Sequence, residues 1–249
     1  MHCRVTLRQN QVVINPAAPA PLVAALVVLF LLPSISTAVE SDSGVWLIAV
    51  ATDRFPSRDS EAPSRWHYWV DAQARYPDIG SGVNQLLIRP GVGYDISPTL
   101  SLWAGYARFR SHGSSGNTVT EDRYWQQLSW RARNWGDSSL STRLRLEERD
   151  LSTGSDTGIV LRAQLKYVRK LVAGGDTDLI ASIEPFFDLR DTDWGANSGL
   201  SQNRLYVGLG WKLTGKTGIE VGYQNQYRFV DTGQDRMDHL AMVSLKTRF

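Results

Sequence analysis

The sequence predicts an all-β protein, a transmembrane antiparallel up-and-down β-barrel of 10 to 12 strands. Three observations lead to this fold class. Apolar and polar side chains alternate with period two, strand-length segments recur about every 20 residues, and the connections alternate between short and long. A soluble β-sandwich is the alternative fold, but its charged face meets bulk water and its turns come closer together.

The N-terminal segment has the organisation of a secretory signal peptide. Arg4 and Arg8 carry its charge, residues 22–32 form an unbroken apolar run, and Ser36 and Ala38 are the small residues before the cleavage point. A spanning helix needs about 20 apolar residues, so this run is short even for the alternative, an uncleaved anchor. We therefore expect a signal peptide at residues 1–38 and an outer-membrane barrel at residues 39–249.

The whole-chain charge is misleading once this leader is set apart. The chain has 27 basic and 25 acidic residues and one cysteine. Arg4, Arg8 and Cys3 all belong to the leader, so residues 39–249 are neutral and free of thiol. This excludes a nucleic-acid partner argued from charge, a disulfide scaffold and a cysteine-built zinc site.

The strands follow from the alternation in chain order. In the first clear case Trp66 and Val70 share one face, while Asp71 and Arg75 share the other. The alternating segments are residues 66–76, 85–96, 121–133, 140–149, 159–167, 178–188, 204–213, 219–228 and 241–249. A further strand precedes residue 111, and residues 45–52 add one more at the start. Aromatic residues tend to lie near strand ends, where a membrane barrel carries interfacial girdles.

The connections give the topology. Short ones lie at residues 97–98, 134–138, 173–176 and 214–217, and longer ones at 111–120, 151–157, 191–201 and 230–238. Short periplasmic turns alternating with long external loops are typical of bacterial outer-membrane barrels. Such barrels usually have an even number of strands, so we expect 12, or else 10, with the register of residues 53–64 left open.

Several motifs in a fixed order resemble the outer-membrane barrel family catalogued as domain of unknown function 2490. They are Arg89-Pro90-Gly91-Val92-Gly93-Tyr94, Trp103-Ala104-Gly105-Tyr106, Glu121-x-Arg123-x-Trp125-Gln126-Gln127, Arg143-x-Arg145-x-Glu147-x-Arg149, Glu184-x-Phe186, Gln202-Asn203-Arg204 and Glu220-x-Gly222-Tyr223. The resemblance covers about residues 45–249. It implies the fold and a place in the bacterial outer membrane, and it assigns no biochemical role.

The polar faces carry charges that we expect to line the barrel lumen. The candidates are Glu121, Arg123, Arg131, Arg143, Arg145, Glu147, Arg149, Arg162, Lys166, Glu184, Arg204 and Glu220. Two functions follow from such a lining. Opposed charges can brace a narrow lumen in a structural or lipopolysaccharide-contacting barrel, or an arginine-rich wall can favour anionic solutes in a small channel.

Other chemistry has little support. A barrel-borne lipid hydrolase would need a Ser–His pair, and the only superficial match is His112-Gly113-Ser114 in a Gly/Ser-rich loop. We expect no catalytic residues, no metal site at Asp188, Asp191 and Asp193, and no cofactor. The expected partners are outer-membrane lipid and lipopolysaccharide, and the barrel-assembly machinery, which would read the terminal Phe249.

Overall fold

The computed structural model describes residues 39–57, 63–172 and 174–249, and these residues contain eleven β-strands. The strands are β1 Glu40–Arg54, β2 Trp66–Tyr76, β3 Asn84–Asp95, β4 Leu100–His112, β5 Thr118–Trp135, β6 Ser138–Leu151, β7 Thr157–Lys170, β8 Thr177–Asp188, β9 Gly199–Lys212, β10 Thr217–Arg228 and β11 Arg236–Thr247. The predicted signal peptide at residues 1–38 lies outside the described residues. In the described ranges no helix is long and apolar enough to cross a membrane.

The strands form one closed barrel. Each strand pairs antiparallel with its neighbour in the chain, and β1 closes the barrel by pairing with β11. This last pairing is parallel, with Glu40 opposite Arg236 and Ala51 opposite Thr247. Closure leaves no strand edge with unpaired backbone groups, which the membrane interior could not satisfy. The predicted β-barrel is therefore confirmed.

The strand number and the seam differ from the detailed expectation. The range of 10 to 12 strands is confirmed, but the even number, 12 or else 10, is corrected to 11. The reason is that β1 is one continuous strand of 15 residues that pairs directly with β2, and residues 55–57 and 63–65 form no strand between them. An odd number makes the first and last strands run in the same direction, so pairing is not antiparallel throughout.

The two faces of the wall differ as the alternation predicts. Large apolar side chains are exposed on the outside along the strands, for example Leu47, Ile88, Leu144 and Val221. Aromatic side chains are exposed near both ends of the strands: Trp66, Trp130 and Trp211 at one end, Tyr76, Tyr124 and Tyr223 nearer the other. The buried charged residues lie on the opposite parity, inside the barrel. This distribution suits a wall that meets lipid outside and polar groups inside.

The connections define two ends of the barrel. The long-loop end carries residues 77–83, 113–117, 152–156, 189–198 and 229–235. The short-turn end carries residues 55–57, 63–65, 96–99, 136–137, 171–172, 174–176 and 213–216, together with Phe249. Of residues 53–64, whose register the sequence leaves open, residues 53 and 54 end β1, residues 55–57 and 63–64 lie at the short-turn end, and residues 58–62 are outside the described part. Because the seam is parallel, Glu40 lies at the long-loop end together with Arg236, whereas Thr247 lies at the short-turn end.

The parallel seam predicts which ends of the strands share a side of the membrane. We expect Ser41→Cys and Gln234→Cys to be labelled by an impermeant maleimide from the same side, and Lys216→Cys only from the other side. Ser41 lies opposite Met237, beside the loop that holds Gln234, whereas Lys216 lies at the short-turn end. Native Cys3 is the only cysteine, so Cys3→Ser protein is the unlabelled control. Labelling of Ser41→Cys together with Lys216→Cys would contradict the parallel seam.

Candidate functional site

The middle of the lumen is filled by an ion-pair cluster, called here the Arg–Glu cluster. It combines eight of the twelve charges predicted to line the lumen: Arg123, Arg143, Arg145, Arg149, Arg162, Glu121, Glu147 and Glu184. These side chains come from four adjacent strands, β5 to β8, and lie on the inward parity of each. Same-face neighbours on paired strands are close enough to bond directly, which explains how residues distant in sequence meet.

Glu147 is the centre of the cluster. Its carboxylate accepts from Arg162 Nη1 at 2.6 Å and from Arg149 Nη2 at 2.5 Å. Arg145 Nη1 lies 3.6 Å away and Arg123 Nη1 3.9 Å away. Only 1% of the Glu147 surface is exposed, so four arginines share one carboxylate out of contact with bulk water. Charge-assisted bonds of this kind are among the strongest in proteins, and they hold the four strands in fixed register.

The other two carboxylates extend the cluster on both sides. Glu184 Oε1 accepts from Arg162 Nη2 at 2.8 Å and from Arg143 Nη2 at 2.5 Å. Glu121 forms a two-pronged pair with Arg123, at 2.9 Å to Nε and 2.7 Å to Nη2. The cluster therefore has five arginines and three glutamates. The lumen carries a positive surplus at this height.

Aromatic rings join the arginines into a belt around the lumen, called here the arginine–aromatic ring. Its order is Arg123, Phe109, Arg75, Trp46, Arg204, Phe186 and Arg162, with guanidinium carbons 4.1 to 5.4 Å from the ring centroids. Glu147 closes it between Arg162 and Arg123. A guanidinium over an aromatic face is attracted by the ring quadrupole, most strongly where water is excluded. The belt thus takes residues from seven strands and holds four positive charges, without a carboxylate beside each.

Several inward side chains in the middle of the barrel have almost no accessible surface. Arg145, Trp125, Glu147, Asp71 and Leu240 are each at most 1% exposed, although all point inward. A side chain that lined a water-filled pore would keep accessible surface. Trp125 fits because Gly91 and Gly105 face it, where an added Cβ would come within 2.5 Å of the indole. We call this plane of buried side chains the packed layer.

The packed layer separates two cavities. The one towards the long-loop end has a volume of about 400 Å³, and the one towards the short-turn end about 690 Å³; they share no lining residue. The long-loop cavity is lined by six arginines and two aspartates: Arg75, Arg123, Arg149, Arg204, Arg228, Arg236, Asp42 and Asp78. It is therefore a strongly basic chamber of small-molecule size.

The remaining predicted charges lie apart from the cluster. Lys166 and Glu220 line the short-turn cavity 3.9 Å apart, and Lys246 also donates to Glu220. Arg204 belongs to the arginine–aromatic ring. Arg131 is exposed and donates to the Pro98 carbonyl at the short-turn end, because a β-bulge between Arg131 and Arg133 interrupts the alternation there.

Sequence reasoning missed the apolar part of the lumen. Trp46, Phe109, Trp125 and Phe186 point inward, whereas the sequence analysis predicts only interfacial girdles from aromatic residues near the strand ends. The alternation places Arg75 on the polar face of β2, but the predicted lumen charges do not include it. The sequence signal that identifies these residues is their parity. Phe186 is two residues from Glu184, and Trp125 is two residues from both Arg123 and Gln127, so each shares the inward face of its strand.

The features considered for enzymatic or metal chemistry do not converge. His112 Nδ1 lies 2.8 Å from the Thr118 hydroxyl, and in the described structure no hydrogen bond joins it to Ser114 in the exposed β4–β5 turn. Across residues 39–57, 63–172 and 174–249 no group of three or more His, Cys, Asp or Glu could hold a metal ion. Phe249 is 68% exposed and lies beyond the end of β11 at Thr247.

Two loops at the long-loop end dock on each other. The Asp193 carboxylate accepts from the Ser155 backbone and hydroxyl, both at 2.8 Å, and from the Asp156 amide at 3.1 Å. The Trp194 indole donates to the Asp156 carbonyl at 2.7 Å and packs where Gly158 has no side chain. These backbone donors lower the pKa of Asp193 below its ordinary value of 3.8.

The lowered pKa predicts acid-sensitive docking of these loops. The contact stabilises the docked form at pH values above the ordinary pKa of 3.8 and is lost as the pH falls through the lowered pKa. We expect hydrogen exchange at the Ser155 and Asp156 amides to accelerate on acidification, relative to the intrinsic rate. Asp193→Asn should raise exchange at neutral pH. Asp191→Asn is the control, because Asp191 accepts from Ser198 within its own loop. Equal protection in all three proteins would contradict the docking.

Comparisons with known proteins bear on the family of the chain. A family model described as "Protein of unknown function (DUF2490)" matches residues 43–238. An uncharacterized protein of Methylorubrum extorquens is 33% identical over 186 residues, which are 73% of this chain and 80% of that protein.

Two solved structures also align with this chain. The NanC porin aligns with a TM-score of 0.45 and 12% identity over 79% of this chain and 94% of that one. OmpT of Vibrio cholerae, expressed in the outer membrane, aligns with a TM-score of 0.40 and 14% identity over 70% of this chain and 61% of its own. The family match spans most of the chain and agrees with the resemblance carried by the motifs, so this chain belongs to the DUF2490 family of proteins of unknown function.

Proposed function

We propose that the protein is a small-solute channel of the bacterial outer membrane that prefers anions. The observation that carries the proposal is the positive surplus of the lumen, where five arginines face three glutamates in the Arg–Glu cluster. A low-dielectric passage lined by fixed positive charge concentrates anions and repels cations. The apolar outer surface with aromatic residues near both ends supports the membrane location.

The packed layer is the constriction of the proposed channel. Its buried side chains fill this part of the lumen, so solutes would cross by local displacement of these side chains rather than through a wide pore. We therefore expect a low unit conductance. The basic long-loop cavity and the short-turn cavity are the two vestibules on either side of it.

Planar bilayers test the channel directly. Protein purified from a strain that lacks its major porins should give small, discrete conductance steps. In a potassium chloride gradient the reversal potential should indicate that chloride is more permeant than potassium. Heat-denatured protein is the control for detergent and contaminants. Cation preference, or the absence of steps at any protein concentration, would reject the anion channel.

A structural barrel without a pore is the second candidate. The observation that favours it is the near-complete burial of Arg145, Glu147 and Asp71 in the middle of the lumen. Under this function the ion pairs brace the wall, and the bilayer stays silent even when the packed layer is weakened. Bilayers of a variant with a weakened layer therefore distinguish the two functions.

The proposed partners follow from the outer surface. Outer-membrane lipid and lipopolysaccharide would contact the apolar belt, and the barrel-assembly machinery would read the exposed Phe249 during insertion. We propose no enzymatic role, since His112 and Ser114 offer no activated nucleophile.

Deletion of Phe249 is expected to reduce the amount of heat-modifiable barrel in outer-membrane fractions without changing synthesis.

A further inference from the structure

Four of the six arginines that line the long-loop cavity already have carboxylate partners. Arg236 binds Asp42 at 2.5 Å, Arg228 binds Asp238, Arg149 binds Glu147, and Arg123 binds Glu121. Arg75 and Arg204 differ. Among the described residues neither has a carboxylate oxygen within 4.0 Å of its guanidinium.

Arg75 and Arg204 are held in place by neutral groups. Arg75 donates to Gln73 Oε1 from Nε at 2.9 Å and from Nη2 at 2.5 Å, and Arg204 Nε donates to Gln226 Oε1 at 3.0 Å. Both lie over the Trp46 ring, with guanidinium carbons 4.1 and 5.0 Å from its centroid. Amide and aromatic contacts orient the two cations without neutralising them, which leaves charge available to a ligand.

Two unpaired guanidinium groups lower the stability of the barrel unless a negative charge balances them. Arg75 is only 7% exposed, and burial of an unpaired charge is expensive, so two neighbouring unpaired guanidinium groups destabilise an empty barrel. A structural wall could have used an aspartate beside either one, as it does beside Arg236. Pre-positioned cations that face a cavity of about 400 Å³ are what an anion-binding site requires.

We propose that Arg75 and Arg204 form a binding site for a small dicarboxylate in the long-loop cavity. Two guanidinium groups without partners balance two negative charges. Because Arg75 and Arg204 come from different strands, β2 and β9, and both contact Trp46 of β1, the proposed ligand offers a separate carboxylate to each arginine. This site deepens the proposed channel by naming its solute class, and as a step in transport it rests on that function.

Calorimetric titration of the purified full-length barrel in detergent at low ionic strength tests the site. Succinate is the probe, succinamide is its neutral isostere, and inorganic phosphate represents a compact dianion. We expect succinate to bind at least about tenfold more tightly than either, since a bond to a charged group contributes about this factor. Absence of succinate binding, or equal binding of phosphate, would overturn the dicarboxylate site.

Variants assign the binding to the two arginines. Arg75→Gln and Arg204→Gln should each weaken succinate binding about tenfold or more, because each removes one charge-assisted pair. Arg248→Gln is the matched control, because it removes the same charge from the other cavity, at the short-turn end, and it should bind within about twofold of wild type. Unchanged binding in both test variants would overturn the assignment.

Two further readouts keep the outcomes separate. Heat-dependent gel migration reports whether each variant is folded. If the glutamine variants do not fold, Arg75→Lys and Arg204→Lys keep the charge but lose the planar fork: weakened binding then supports the site, and unchanged affinity overturns it. A barrel that conducts anions but binds no succinate would overturn this site alone, whereas succinate binding by a barrel that is silent in bilayers would overturn only the channel.

Discussion

Replacement of Glu147 by glutamine is expected to lower the free energy of unfolding by about 3–5 kcal/mol, the usual cost of breaking a buried ion pair from one side. Glutamine has nearly the same shape, so packing is preserved while the charge is lost. Arg162 and Arg149, at 2.6 and 2.5 Å, lose their strongest counter-charge, and Arg145 and Arg123 lose a weaker one. Four cations would remain together with only Glu121 and Glu184 as neighbouring carboxylates.

Glu148→Gln is the control for this experiment. Glu148 is the next residue of β6 and therefore points to the opposite face, and in the described structure it forms no ion pair. Its replacement should change stability by less than about 0.5 kcal/mol, as for most surface positions. Urea unfolding in detergent, followed by heat-modifiable gel migration, measures both variants. Equal stability of the two variants would show that the Arg–Glu cluster does not brace the barrel.

The Arg–Glu cluster is also where sequence reasoning was most informative. Alternation identifies the face of each residue, and because antiparallel neighbours are adjacent, it follows which charges can meet. Arg145 lies opposite Gln127 on β5 and opposite Arg162 on β7, and Glu147 lies opposite Trp125. These are inward positions on consecutive strands, so their proximity requires only the strand order and the register.

The seam and the strand number could not be predicted in the same way. Alternation is a property of one strand, whereas the pairing of β1 with β11 joins segments almost 200 residues apart. Nothing local distinguishes a parallel from an antiparallel partner for Val45 or Leu47. The expectation of an even number came from a general tendency of bacterial barrels, and the direct pairing of β1 with β2 overrides it.

The arginine–aromatic ring was missed for a different physical reason. A hydrophobic side chain in a membrane barrel is normally assigned to lipid, so Trp46 and Phe186 carry no sequence signal for the lumen except their parity. Inside the barrel their faces serve as partners for Arg204, at 5.0 and 4.5 Å. An aromatic residue two positions from an inward charge is therefore a candidate lumen residue in related barrels.

Trp125 gives the sharpest test of whether the lumen conducts. Its indole is 1% exposed, fills the space left by Gly91 and Gly105, and lies 4.6 Å from the guanidinium carbon of Arg145. Trp125→Ala removes the largest side chain of the packed layer. We expect a loss of about 3–5 kcal/mol in stability and a cavity at the centre of the barrel. If the packed layer is the constriction, the two vestibules become connected and unit conductance rises severalfold.

Trp130→Ala on the same strand separates this effect from a general loss of a tryptophan. Trp130 is 47% exposed on the outer face, so its removal affects contact with lipid and leaves the lumen unchanged. Its conductance should equal that of the wild type. An increase in unit conductance in both variants would indicate leakage around a destabilised barrel. Conductance that stays at zero in folded Trp125→Ala protein would mean that the remaining side chains close the lumen by themselves, and the structural function would then replace the channel.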